Sequence, residues 1–539
     1  MRSNAFGVTL LFIAGFVLVQ NLPGWWDLEF GDETMYLGSG LNFGIPFPGG
    51  AQWGPVYAAW YAFWHLFIPD RLDLYYFNWA ILSVLSGVLT FCFFRSLKVA
   101  FWVSVWLAVL FLFSTQNLPL NPKISIFPFC LILACLSLNQ FFSTRLSLFQ
   151  KFLLVSLTGL LCAYVRPEFY ISFLLSAVVA LYFSFKGNTL KKTNTWIIAI
   201  AFIFIVVGLH LLFDNPLTSG GGDRSAVAFQ QHFVLNYCSL QNIPEPNTID
   251  GQIQLFHQVL GNDVQSITDA LIKQPVWALK HVGYNVVNSV KGNALNLVDM
   301  FYHTPFRGWY SRMRIILFAG VFLAILLAVD YKKTVAGFRK ISQEEIWSLV
   351  TVLILIFPSL IATILVYPRT HYMVFHLLLI FWVIAYVYNR LAFRMPELSA
   401  VNIPAIIFTI NTIVFTFFIT VRYFDFNHSQ PTPTADNVRF ITGMKPQTHL
   451  NILERHWYRV FLPFPTTWVH VEEYTNGNFE EFVKTKNVNF ILMTDDMQQF
   501  FAKDLSFQSF RDHYASYGFE RVQTNGQGGY LLFKKGVVR

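Results

Sequence analysis

The chain reads as a polytopic α-helical membrane protein of about eleven transmembrane helices with a small C-terminal α/β domain outside the membrane. Three observations predict this class. Of its 539 residues, 55% are hydrophobic and 13% charged, with a mean hydropathy of +0.47, too apolar for a soluble protein. Apolar runs of bilayer-crossing length recur along most of the chain. From about residue 425 the composition changes, with normal charge, polar turns and short strand-like runs.

In order, the runs lie near 5–22, 74–94, 99–115, 124–143, 152–165, 169–185, 195–213, 312–329, 346–366, 372–390 and 402–421. No small-x-small site precedes Asn21-Leu-Pro-Gly-Trp-Trp26, so the first run is expected to stay as an uncleaved span. The linkers bearing Arg95/Lys98, Arg145/Lys151, Lys186/Lys191/Lys192, Lys332/Lys333/Arg339/Lys340 and Arg390/Arg394 fall on one side, which the positive-inside rule makes cytoplasmic. The 152–165 run is short for a span and must borrow from its flanks, so its partner 169–185 is expected to be tilted or partly re-entrant.

The other side receives the outer loops 23–73 and 214–311, the turns at 116–123, 166–169 and 367–371, and the tail. The expected division is a transmembrane module over 1–424 and a small extracytoplasmic α/β domain over 425–539, hinged at Pro431-Thr-Pro-Thr434. Within the tail, Val488-Asn-Phe-Ile-Leu-Met493 predicts a strand, and Gly518–Val522 with Tyr530–Phe533 predicts a terminal hairpin.

The net charge of +8 resides in the short linker clusters, so it reads as topology and not as a nucleic-acid footprint. Cysteines 92, 130, 135, 162 and 238 have neither metal-ligand spacing nor the pattern of a disulfide framework. No metal cluster is visible and no cofactor is expected.

Chemistry is expected at Gly31-Asp-Glu-Thr-Met-Tyr36, where adjacent carboxylates follow the first span among aromatic residues. Carboxylates there are costly to desolvate and need a role or access to water. Tyr164-Val-Arg-Pro-Glu168 and Tyr367-Pro-Arg-Thr-His-Tyr372 close the fifth and ninth runs on the same expected face. An acidic pair and two Arg-bearing turns on one face are what a general base beside an anionic head group requires.

Asp32-Glu33-x-x-Tyr36, Arg166-Pro-Glu168 and Pro368-Arg-x-His-Tyr372 resemble motifs of the GT-C class of membrane glycosyltransferases. The likeness is to the protein O-mannosyltransferases and the lipid A aminoarabinose transferases, which use polyprenyl-phosphate-linked sugars, and it covers the whole layout. The resemblance implies that Asp32 is the catalytic base with Glu33 beside it, and that Arg369 binds the lipid phosphate. Tyr36, Arg166, Glu168, His371 and Tyr372 then line the substrate site, although the spacing at His371 departs from the family's more usual adjacent Arg-Tyr. The family divides on metal use, so a divalent metal stays an open alternative.

The implied activity is transfer of a sugar from a polyprenyl-phosphate donor to a lipid, glycan or protein acceptor, with inversion if Asp32 deprotonates the acceptor directly. Multi-pass insertion in a bacterial inner membrane, with the site facing the periplasm, is the expected location. The basic loop 214–311, with His232 and Arg307 as its leading candidates, suits a lid over the donor phosphate. Glu454-Arg-His456 and Glu472-Glu473 read as solvated surface. A transporter or lipid flippase is the alternative, but ionisable residues avoid the middle of these runs, with His210 and His376 near their ends, which favours chemistry at the outer surface.

Overall fold

The computed structural model describes residues 2–20, 22–25, 27–45, 47, 50, 53–112, 114, 116–117, 123–186, 193–217, 221–246, 249–302, 323, 326–327, 329–338, 341–392, 432–474, 477–524 and 529–537. The helices that matter below run in chain order. They are α1 (Arg2–Val19), α2 (Asp32–Leu41), α3 (Pro55–His65), α4 (Arg71–Ser96), α5 (Phe101–Leu112), α6 (Lys123–Phe141), α7 (Leu148–Ala163) and α8 (Tyr170–Lys186). After these come α9 (Thr193–Phe213), α10 (Gly221–Gln241), α11 (Ile249–Leu260), α12 (Ile267–Lys273), α13 (Pro275–Tyr302), α14 (Gln343–Leu365), α15 (Leu377–Tyr388) and α16 (Pro433–Gly443).

Among the described residues six helices are long and apolar enough to cross a membrane: Arg71–Ser96, Lys123–Phe141, Pro167–Lys186, Thr195–Phe213, Gln343–Leu365 and Thr370–Tyr388. Three more, Asn4–Val19, Phe101–Leu112 and Leu148–Ala163, are apolar but shorter. With the composition, these helices make the chain an integral membrane protein, because in lipid only a helix satisfies every backbone polar group within one segment. The expected run at 402–421 and nearly all of 312–329 lie outside the described residues.

Local chemistry sets the ends and contacts of these helices. Ser147 with Gln150 and Ser342 with Glu345 form capping boxes, and the first starts α7 several residues before the apolar run alone suggests. Pro358 inside α14 cannot bond the carbonyl of Ile354, and the Ser172 hydroxyl donates to that oxygen instead, at 2.7 Å. At Gly159 a side chain would sit 2.7 Å from the Phe173 nitrogen, so only glycine lets α7 and α8 approach this closely. With the turn Pro167–Phe169 before it, α8 reaches spanning length.

The chain divides into two compact units. The larger comprises 1–17, 43–57 and 81–418. Within it, the segment expected to be an outer loop folds as helices α10 to α13 around a core of Phe229, Phe233, Val234, Phe256, Leu260 and Val264. Lys123 is also buried here, donating to the Ser83 hydroxyl at 2.7 Å and to the Asn117 carbonyl at 2.8 Å.

The smaller unit comprises 18–42, 58–80 and 419–539, so the compact body that holds the tail also takes in α2 and most of α3. Its sheet contains β1 (Leu450–Glu454), β2 (Thr466–His470), β3 (Phe490–Thr494), β4 (Phe519–Gln523) and β5 (Gly529–Lys534) in the order β2-β1-β3-β5-β4. The first three strands are parallel, and β4 and β5 form the expected antiparallel pair. Near-continuous burial of β3 and β5 explains their uniformly apolar sequence. Residues 525–528 of the expected hairpin and Pro431 of the expected hinge lie outside the described residues.

Asp27, Phe30 and Arg71 are among the residues that join the segment 18–42 and the start of α4 to the tail within this unit. Asp27 accepts from the backbone nitrogens of Thr434 and Ala435 at 2.9 Å each, capping α16, whose own N-cap residue Thr432 makes no side-chain cap bond. Phe30 stacks on His456, with centroids 5.4 Å apart, and tilts onto Tyr458 at 4.6 Å. Arg71 donates to the carbonyls of Val460 and Leu462.

Candidate functional site

In the smaller unit, α2 opens with the acidic pair, and both carboxyl groups lie in its first turn, where the helix dipole favours negative charge. The two side chains then diverge. Asp32 is exposed, while Glu33 is 7% exposed and is gripped from two sides. Tyr61 on α3 donates its hydroxyl to Glu33 Oε1 at 2.5 Å, and Asn78 on α4 donates to the same oxygen at 3.0 Å. Asn78 also donates to the Tyr61 hydroxyl at 2.8 Å and accepts from the Trp60 indole at 2.8 Å. Glu33 is thereby fixed as a buried anchor, and its neighbour faces outward.

Local packing explains the network. A side chain at Gly40 would meet the Tyr61 Cβ at 2.4 Å, so the glycine lets α2 and α3 close on each other. Tyr36 is 2% exposed, so it supports the interior of this helix pair and presents no open binding surface. Glu29 is exposed yet crowded by protein, and that desolvation, followed by the Asp32 charge, raises its carboxyl above the ordinary range.

In the larger unit, Arg166, Glu168 and Tyr372 come together. Arg166 pairs with Glu168 at 2.7 Å, donates to the Ser125 hydroxyl at 2.8 Å, and places its guanidinium 4.2 Å from the centroid of the Tyr372 ring. Ser359 donates to the Tyr372 carbonyl at 2.6 Å. Arg166 thus has a built-in structural duty, whereas Arg369 projects to the surface and His371 is half-buried beside it.

His232 on α10 is buried and lies flat on Tyr367, with centroids 4.7 Å apart and planes 17° from parallel. Burial first, then the charges of Arg369 and His281, pushes its pKa down to about 3. It is therefore a neutral ring under the turn that carries Arg369, and no lid residue reaching outward. Burial likewise pushes His281 down to about 4, and its Nε2 lies 3.2 Å from the Leu365 carbonyl. Asn285 donates to the carbonyls of Ile364 and Val366 at 3.0 and 3.1 Å, and Asn236 donates to Asn285 at 2.7 Å. Helices α10 and α13 thereby hold the backbone that leads into Tyr367-Pro-Arg369. Arg307 lies outside the described residues.

Residue-type reasoning passed over Trp60, Tyr61, Asn78, Asn236 and Asn285. A signal existed for Asn78, since a lone amide in an apolar run demands a partner. Among the described residues no group of three or more His, Cys, Asp or Glu has a metal-holding arrangement.

No protein-family model matches the chain, and no curated protein matches it. Among solved structures the chain is similar to the archaeal oligosaccharyltransferase AglB from Archaeoglobus fulgidus, solved in complex with an inhibitory peptide and a dolichol-phosphate. That match covers 97% of this chain and 74% of the other at 11% identity, with a TM-score of 0.37.

Proposed function

We propose that this integral membrane protein is a glycosyltransferase of the GT-C kind, moving a sugar from a polyprenyl-phosphate donor to an acceptor at the extracytoplasmic face. The division of labour within the acidic pair carries the reading: Glu33 is buried and doubly hydrogen-bonded, and Asp32 is exposed at the start of the same helix. A fixed neighbour holds the helix start, so the outward carboxylate is positioned to act as a base.

In the proposed reaction Asp32 takes the proton of the acceptor hydroxyl as its oxygen bonds to the anomeric carbon. The bond from that carbon to the phosphate oxygen breaks, and polyprenyl phosphate leaves with the electron pair. A single displacement inverts the anomeric centre. Separately, within the larger unit, Arg369 is an exposed permanent cation whose fork matches phosphate oxygens, which makes it the proposed phosphate-binding residue. Arg166, tied to Glu168, Ser125 and Tyr372, holds the neighbouring surface in place.

The test is to purify the protein in detergent, identify co-purifying lipid by mass spectrometry, and assay sugar transfer from a synthetic polyprenyl-phosphate donor. A bound polyprenyl phosphate together with transfer supports the reading. Bulk phospholipid alone and no transfer would overturn it.

A further inference from the structure

Helix α13 is amphipathic the wrong way round for a surface helix in water. Apart from Ala278, its buried positions are polar: His281, Asn285, Ser289 and Asn296. Asn285 bonds inward to the carbonyls that end α14 and Asn296 to Gln116 at 2.7 Å, while the half-buried Asn293 reaches His376 at 3.0 Å. Its outward positions are apolar: Val276, Leu279, Val286, Val287 and Val290 are 41–67% exposed. Separated by three or seven residues, with Val286 and Val287 side by side, they share one face of the helix and form a stripe about 21 Å long at 1.5 Å per residue.

Charge and continuity define what covers that stripe. Residues 275–298 contain no Asp or Glu, and Lys280 and Lys291 are both exposed, eleven residues apart and so on one flank of the stripe. Trp277 lies under the Lys280 ammonium at 4.3 Å, pairing an aromatic ring with a cation as an interface anchor does. The preceding helix α12 ends on Ile272, 74% exposed, and Lys273. On its inner side α13 packs against α14 and α15, both within spans long and apolar enough for the bilayer. A soluble partner would have to cover an apolar stripe that begins beside segments long and apolar enough to cross a membrane, whereas the lipid around such spans would cover it without a further protein.

We propose that α13 is a membrane-interface helix, its valine stripe sunk among acyl chains and Lys280 and Lys291 meeting the phosphates of anionic lipids. The helix that holds the carbonyls before Tyr367 and Arg369 is then itself seated on lipid, so the candidate phosphate turn is held at head-group depth.

The experiment places a nitroxide on Val287→Cys or Val290→Cys of the full chain in nanodiscs and compares collision with oxygen, enriched among acyl chains, against a water-soluble nickel chelate. The proposal expects oxygen to win at both positions, and the Lys280→Gln/Lys291→Gln variant to lie shallower than the parent in nanodiscs of anionic lipid. A nickel chelate that collides more readily would place the stripe in water and overturn the proposal. Immobilised labels that neither reagent reaches would show a protein partner there, which overturns it equally. Because the readout is depth and not sugar transfer, its failure is distinct from failure of the glycosyltransferase reading.

Discussion

Tyr61 donates its hydroxyl to Glu33 across 2.5 Å, linking the middle of α3 to the first turn of α2. That bond, shared with Asn78, separates a carboxyl group with a structural post from the adjacent carboxylate that faces solvent.

Removing the Tyr61 hydroxyl takes one donor from a buried carboxyl oxygen, a loss worth about 1–3 kcal/mol. Tyr61→Phe is expected to lower the thermal stability of the smaller unit and reduce kcat for sugar transfer with little change in donor KM. A thermal melt beside steady-state kinetics checks this, and a rise in KM with kcat intact would reassign Glu33 to donor binding.

The two Arg turns should respond differently to Lys. Arg166→Lys forfeits the fork that spans Glu168 and Ser125 over Tyr372, and should lower stability as well as activity. Arg369 is exposed, so Arg369→Lys should leave the melt unchanged yet lower kcat/KM for the donor more than tenfold, about 1.4 kcal/mol.

His232 and His281 predict acid weakening of α10 and α13. Their folded pKa values, about 3 and about 4, lie below the ordinary 6.5, so the unfolded chain binds protons that the folded one refuses. The stability they contribute is complete above pH 6.5 and is lost as pH falls toward 4 and then 3. Amide-exchange protection of 221–302 should therefore decline across that interval, and His232→Phe, which keeps a ring against Tyr367, should flatten the decline.

Glu454 predicts the opposite slope in the smaller unit. It is fully buried, and burial pushes its carboxyl up to about 8 against the pull of the Arg459 guanidinium and of the Tyr458 and Arg459 backbone nitrogens. The folded state binds the extra proton, so this contribution is complete below pH 4.5 and is lost as pH rises through 8. Glu454→Gln should remove that slope, read as melting temperature against pH.

Membrane character was legible because long apolar runs have one structural outcome in lipid, and the strands at 490–494, 519–523 and 529–534 because short strand-like runs bounded by turn residues marked them. The segment 214–311 misled because its apolar residues, such as Phe229, Phe233, Phe256 and Leu260, recur at helical spacing but are diluted by polar positions that turn inward. Asp32 and Glu33 stood out as a pair, but nothing in their order told which would be buried. That depended on Tyr61 and Asn78, which are 28 and 45 residues from Glu33 and reach it only through the folding of α3 and α4 against α2.

The central claim is that Asp32 is the general base, and the most direct test is the turnover of Asp32→Asn with a polyprenyl-phosphate sugar donor. A positioned base contributes about 10²–10⁴-fold, so kcat should fall by at least two decades with the melt unchanged, while Glu33→Gln loses less turnover but more stability. Near wild-type transfer by both variants would contradict the account, leaving the acidic pair as the solvated start of a helix.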